Sequence, residues 1–173
     1  MTPQGNVMSN VKTKVSAEEW RCRVELAACY RLMAHFGVRD LTYNHISARV
    51  EGEPGCMLLK PEDHFFEEVT ASGLSKYKLD GTPMSYGAEP VSGPFLSIHA
   101  GIRAAKPDIG CVMHTHTPAN IGVSSQEHGL LPISQHAVIF HNRIAYHDFK
   151  GFEMEDGMRN ALLEDLGDKS VAL

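Results

Sequence analysis

The sequence has 173 residues, of which 43% are hydrophobic and 21% charged, and a formal net charge of -5. That length makes one ordinary domain with room for a sizeable core, and an acidic balance without a Lys/Arg cluster excludes nucleic acid as an expected partner. No apolar run is long enough to span a membrane. The polar stretch Met1 to Val15 lacks the core of a signal peptide and reads as a disordered lead-in to one domain over 16–173.

Ser16-Ala17-Glu18-Glu19 is a capping box, with Ser16 as N-cap and Glu19 three residues on. It predicts a helix to about Phe36, with Trp20, Val24, Ala27 and Ala28 on one face, Leu26, Tyr30 and Met33 beside them, and Gly37 as the stop. From Leu41 to Val50 the period changes. Ile46, Ala48 and Val50 alternate with Ser47 and Arg49, which is strand-like. A turn over Glu51 to Gly55 and the apolar run Cys56 to Leu59 complete a hairpin. Lys60 to His64 is a loop, Phe65 and Phe66 dock on the core, and Leu74 to Leu79 is another short strand.

Ser92-Gly93-Pro94 opens the next helix, in which Phe95, Ile98, Ile102 and Ala105 repeat at helical spacing. His99 lies four residues after Phe95. Then comes Cys111-Val112-Met113-His114-Thr115-His116-Thr117-Pro118. Three apolar residues lead into two histidines spaced two apart, so both side chains project from one face of a strand end. Thr117-Pro118 reads as an N-cap and first helical turn. Neutral imidazole is the commonest ligand for divalent transition metals, and two on one face supply two corners of a site. A bare His-x-His more often makes ordinary hydrogen bonds.

Leu130 to Phe140 is apolar and β-rich, and Ile144 to Tyr146 is a further short strand. A last helix runs from about Glu153 to Leu166, and Val171-Ala172-Leu173 begins a buried strand. The four cysteines, Cys22, Cys29, Cys56 and Cys111, sit in apolar patterns with no C-x-x-C. They read as reduced core residues, which points to the cytoplasm. The element order makes a three-layer α/β or α+β domain the expectation.

Several segments together resemble the class II aldolase/adducin family, in its adducin-like bacterial branch. They are Tyr43-Asn44-His45-Ile46-Ser47-Ala48-Arg49, Glu68 to Leu74, the helix before Lys106-Pro107-Asp108, Val112 to Thr117, Gly129 to Gln135, and Tyr146-His147. The resemblance runs from about Ala17 to Leu173. It implies an α/β/α fold whose central, mainly antiparallel sheet is flanked by helices. It also implies a homotetramer with its sites between subunits. The implied cofactor is a divalent metal, typically zinc, held by three histidines and often a glutamate. In such an enzyme the metal polarises a substrate carbonyl and stabilises the enediolate of carbon–carbon cleavage.

On that resemblance His114 and His116 are metal ligands, and His45, His99, Asn44 and Lys60 line the substrate site. Two departures stand out. The family glutamate position is Phe95, which neither ligates a metal nor takes a proton, and leaves the catalytic base unassigned, with Glu89 nearby. The third histidine normally lies in the strand after the last helix, where this sequence has only reached Leu173, so either the domain is incomplete at that end or the third ligand is missing. The phosphate-binding stretches match Lys60-Pro61-Glu62-Asp63 and Gly93-Pro94. Two carboxylates and no hydroxyl there disfavour a phosphorylated substrate. The expected function is metal-dependent aldol or retro-aldol cleavage, or a related decarboxylation, of a small unphosphorylated carbonyl compound. The rival is a non-catalytic adducin-like domain that assembles with partners.

Overall fold

A computed structural model of the chain describes residues 11–85, 87–91, 93, 95–149, 151 and 156–173. Most of the lead-in, the Ser92 and Pro94 helix opening and the Glu153 and Glu155 helix start therefore lie outside the described residues.

Helix α1 spans Ala17–His35. The Ser16 hydroxyl accepts from the Glu19 N–H at 3.0 Å, as the capping box requires. Past the helix end, Gly37 takes a φ of 79°, which glycine adopts without a Cβ penalty. The buried face differs from the apolar one read from the sequence. It consists of Glu19, Arg23, Leu26, Ala27, Tyr30 and Ala34, while Val24 is 47% exposed. The cause is a buried ion pair: Arg23 Nε donates to Glu19 at 2.8 Å, so two charged residues turn inward and rotate the face.

Strands β1 (His45–Val50), β2 (Glu53–Leu59), β3 (Ser75–Lys78) and β4 (Cys111–His114) form an antiparallel sheet in the order β3-β2-β1-β4. The β1–β2 hairpin closes more tightly than the expected five-residue loop, since Val50 already pairs with Glu53. Alternation along these strands separates two cores. Ile46, Val50 and Leu58 pack with Leu26, Tyr30 and Phe66 on the α1 side. Met57, Leu59 and Tyr77 point the other way, against Val91, Ala100, Phe95 and Leu96. Phe66 docks as expected, but Phe65 is 41% exposed.

Residues 95–100 form a π-helix that continues into α2 (Gly101–Ala105). Its buried side is His99, Ala100, Gly101 and Arg103 rather than the predicted Phe95, Ile98, Ile102 and Ala105 stripe. The π turn carries one extra residue, which shifts the register read from a 3.6-residue period. Helix α3 (Pro118–Ser124) starts as predicted, with Thr117 as N-cap and Pro118 in its first turn. The tract 130–140 forms no strand. Ser134 instead caps the short helix α4 (Gln135–Val138). Strand β5 (Ile144–Ala145) pairs in parallel with β6 (Val171–Ala172), and α5 (Asp156–Leu166) lies between them in sequence. The fold is α/β, with a mainly antiparallel sheet between helices. None of the described helices is long and apolar enough to cross a membrane. The four cysteines are free; Cys22 and Cys29 are partly buried and pack against the α1-side core, as expected, whereas Cys56 is only partly buried and Cys111 is exposed.

Candidate metal centre

The second face of β1 carries the chemistry. His45 and Ser47 alternate with the apolar residues that meet α1, so they face the π-helix. His45 pairs directly with His114 across β1 and β4, which puts both imidazoles on one face. Their rings stack with centroids 4.7 Å apart and planes 14° from parallel.

His116 follows the end of β4, and its Nε2 stands 2.6 Å from His114 Nε2. The far side of the His116 ring is held by Asp40, whose carboxylate accepts from Nδ1 at 2.7 Å. With Nδ1 turned to the carboxylate, His116 turns its Nε2 toward His114. Burial, then the nearby His116, pushes the His114 pKa down to about 4, so it is neutral at pH 7. The two Nε2 atoms stand at hydrogen-bond distance, closer than the roughly 3.3 Å between two nitrogens on one tetrahedral zinc, so they could supply two corners of a divalent-metal site only by moving slightly apart. Among the described residues, no group of three or more His, Cys, Asp or Glu is placed to hold a metal.

The other expected site residues gather around this pair. The Asn44 side-chain carbonyl accepts from the His116 backbone N–H at 2.8 Å. Its Nδ2 is buried and has no hydrogen-bond partner among the described residues. His45 bonds through Nδ1 to His99 Nε2, and His99 Nδ1 meets the Ser47 hydroxyl at 2.7 Å. Burial, reinforced by neighbouring histidines and cations, pushes the His45 and His99 pKa values down, His99 to about 3. Phe95 lies against His45, with ring centroids 4.1 Å apart.

Lys60 has a different position from the one expected of a substrate contact. It is 1% exposed, and its ammonium donates to the carbonyls of Thr42, Pro61 and Glu62 at 3.1, 3.2 and 3.4 Å. It clamps the segment before Asn44 to the loop after β2. Burial lowers its pKa to about 8 against the opposing pull of Glu62 and Asp63. The folded value lies below the unfolded one, so the unfolded chain holds the extra proton between about pH 8 and the ordinary lysine value near 10.4. Stability should therefore rise with pH across that window. Lys60→Met should lack this rise, as urea unfolding below and above the window would measure.

Asp40, Ser47 and Arg103 are site residues that sequence reasoning missed. Ser47 carried a signal, because it sits two residues after His45 on the same strand face. Asp40 carried none; it reaches His116 from an irregular turn in which Leu41 has a φ of 47°. His64, His128, His136 and His141 lie away from the cluster, with His128 and His141 lining a separate cavity of about 220 Å³. His147 pairs with Asp165 at 2.6 Å. A larger cavity, about 430 Å³, opens between α1 and β4 and includes none of the clustered histidines.

Residues 24–173 match the family described as "Class II Aldolase and Adducin N-terminal domain". The chain belongs to this family. A Caulobacter vibrioides protein named, provisionally, as a class 2 aldolase is 38% identical over 164 residues, 95% of this chain and 64% of its own length. Rat alpha-adducin is 37% identical over 175 residues, all of this chain but 24% of the adducin. The crystal structure of an aldolase II superfamily protein from Pseudomonas syringae superposes with a TM-score of 0.88 at 44% identity, over 94% of this chain and 66% of that one. L-fuculose 1-phosphate aldolase from Glaciozyma antarctica shares the fold, with a TM-score of 0.78 at 19% identity over 99% of this chain and 64% of the aldolase. The chain thus spans about 64% of the length of the bacterial relative.

Proposed function

We propose that this chain carries the histidine pair of a divalent-metal, aldolase-type lyase site, acting on a small unphosphorylated carbonyl compound. The observation that carries the reading is the convergence of His114 and His116 Nε2 at 2.6 Å, with Asp40 behind His116. His114 and His116 would hold the ion, most suitably zinc, which when bound supplies a Lewis acid for a substrate carbonyl. Asn44 positions the His116 backbone and offers an unpaired Nδ2 donor for a substrate oxygen. Asp40 sets the His116 tautomer. Further ligands come from outside the described residues, and a homotetramer with its sites between subunits fits the incomplete set.

A second reading, a non-catalytic assembly domain, is favoured by Phe95, which puts a ring rather than a carboxylate beside His45. Turnover separates the two. Zinc-loaded intact protein should cleave at least one unphosphorylated hydroxy-ketone in an aldol panel. Phosphorylated ketoses should react weakly, because Glu62 and Asp63 lie exposed at the loop and the Lys60 ammonium is occupied by carbonyls. Loss of a positioned acid/base typically costs ~10²–10⁴-fold, so rates below those of ordinary aldolases are expected. Robust turnover of a phosphorylated ketose would overturn the substrate class. Bound zinc with no cleavage of any substrate would favour the assembly reading.

A further inference from the structure

The histidines behind the metal pair form a chain whose hydrogen-bond direction can be assigned from one end. Arg103 is 3% exposed and donor-only. It donates through Nε to the Ser47 hydroxyl at 3.1 Å and through Nη2 to the Ser47 carbonyl at 2.7 Å. Ser47 is fully buried, and its hydroxyl oxygen is already an acceptor. Its proton therefore needs its own acceptor, and among the described residues His99 Nδ1, at 2.7 Å, is the one in reach. His99 Nδ1 is then unprotonated, so neutral His99 carries its proton on Nε2 and gives it to His45 Nδ1. His45 is forced in turn to keep its own proton on Nε2.

That nitrogen makes no hydrogen bond among the described residues and is not one of the sealed, unpartnered atoms of the core. Phe95 and His114 both pack against the ring, and His45 as a whole is 2% exposed. We propose that His45 is a hydrogen-bond donor of the site, its Nε2–H directed by the Arg103–Ser47–His99 chain to a substrate carbonyl or enediolate oxygen. This rests on the metal-site reading for its substrate, but the tautomer stands on the hydrogen bonds alone. His45 is the group that meets substrate; Arg103, Ser47 and His99 are positioning residues.

Nitrogen-15 spectra of the intact protein labelled at histidine test the tautomer without metal or substrate. His45 and His99 should each show a protonated Nε2 and an unprotonated Nδ1. A protonated Nδ1 on His45 would overturn the proposal. Ser47→Ala frees His99 Nδ1 to hold the proton and should move part of the His45 population to the Nδ1–H form. An unchanged spectrum would count against the relay. The functional arm uses glycolohydroxamate, a small enediolate mimic, on zinc-loaded protein. His45→Phe keeps the ring stack and should bind it roughly ten- to hundredfold more weakly at unchanged zinc content. Equal affinity would refute the donor role. If wild type bound no zinc, the metal reading would fail, and the tautomer spectrum would still decide this one.

Discussion

Wild type is expected to purify with a bound divalent ion, and His114→Ala/His116→Ala protein without it. Each imidazole supplies a neutral nitrogen ligand, and the pair is preorganised by strand register: His114 is fixed opposite His45, and His116 is fixed by Asp40 and by the Asn44 side chain. Removing both takes away the two convergent nitrogens on which the assignment rests. The effect should be graded. Asp40→Ala leaves both ligands but frees the His116 tautomer, and loss of such a partner typically weakens metal binding by about 10–100-fold. Single histidine variants should be weaker still, and the double variant should show no binding in a zinc titration. Equal metal content in wild type and double variant, by elemental analysis of folded protein, would sink the assignment.

The parts of this site that were legible in the sequence follow strand periodicity. The two-residue spacing of His114 and His116, the β1 alternation around His45, and the Thr117-Pro118 helix start all depend on local geometry that short motifs encode. The mainly antiparallel sheet was implied by the family resemblance that the ordered motifs carry. What could not be read depends on tertiary partners. The π turn at Phe95–Ala100 hides behind an apolar repeat that looks α-helical, yet it is what turns His99 and Arg103 toward Ser47. Asp40 approaches His116 across 76 positions of sequence, through a turn whose left-handed leucine has no pattern to announce it. The tract 130–140 misled because β-branched composition without strict alternation does not specify a strand, and one serine cap was enough to select a helical turn.

Helix α1 misled for the opposite reason: its apolar repeat gives no sign that charged residues are buried on it. Glu19 and Arg23 are instead both nearly sealed, and they connect the helix to the sheet. Arg23 also donates to the Leu74 carbonyl at 2.7 Å, and Lys76 on β3 bridges Glu19 at 2.9 Å to Glu53 on β2. Glu19→Ala should therefore destabilise the protein by about 3–5 kcal/mol, because it leaves the Arg23 guanidinium buried without its counter-charge. Glu19→Ala/Arg23→Met should recover much of the loss, since a packed apolar pair of similar volume is often as stable as a buried ion pair.

The pH dependence carries a definite sign. Burial alone would raise the Glu19 pKa, but hydrogen bonds from Lys76 and Arg23 and their charges outweigh it, and the net shift is downward. The folded value is below the unfolded one, so the unfolded chain takes up the proton first as pH falls. The Glu19 contribution is full above the ordinary value of 4.5 and is lost as pH drops through the folded one. Urea unfolding of wild type and Glu19→Ala should differ by a constant amount above that value and converge below it. The network lies on the α1 side of the sheet, opposite the histidines, so the folded fraction of Glu19→Ala should keep the wild-type metal content. A variant that lost metal as well as stability would show that the two faces of β1 are coupled more tightly than their separate cores imply.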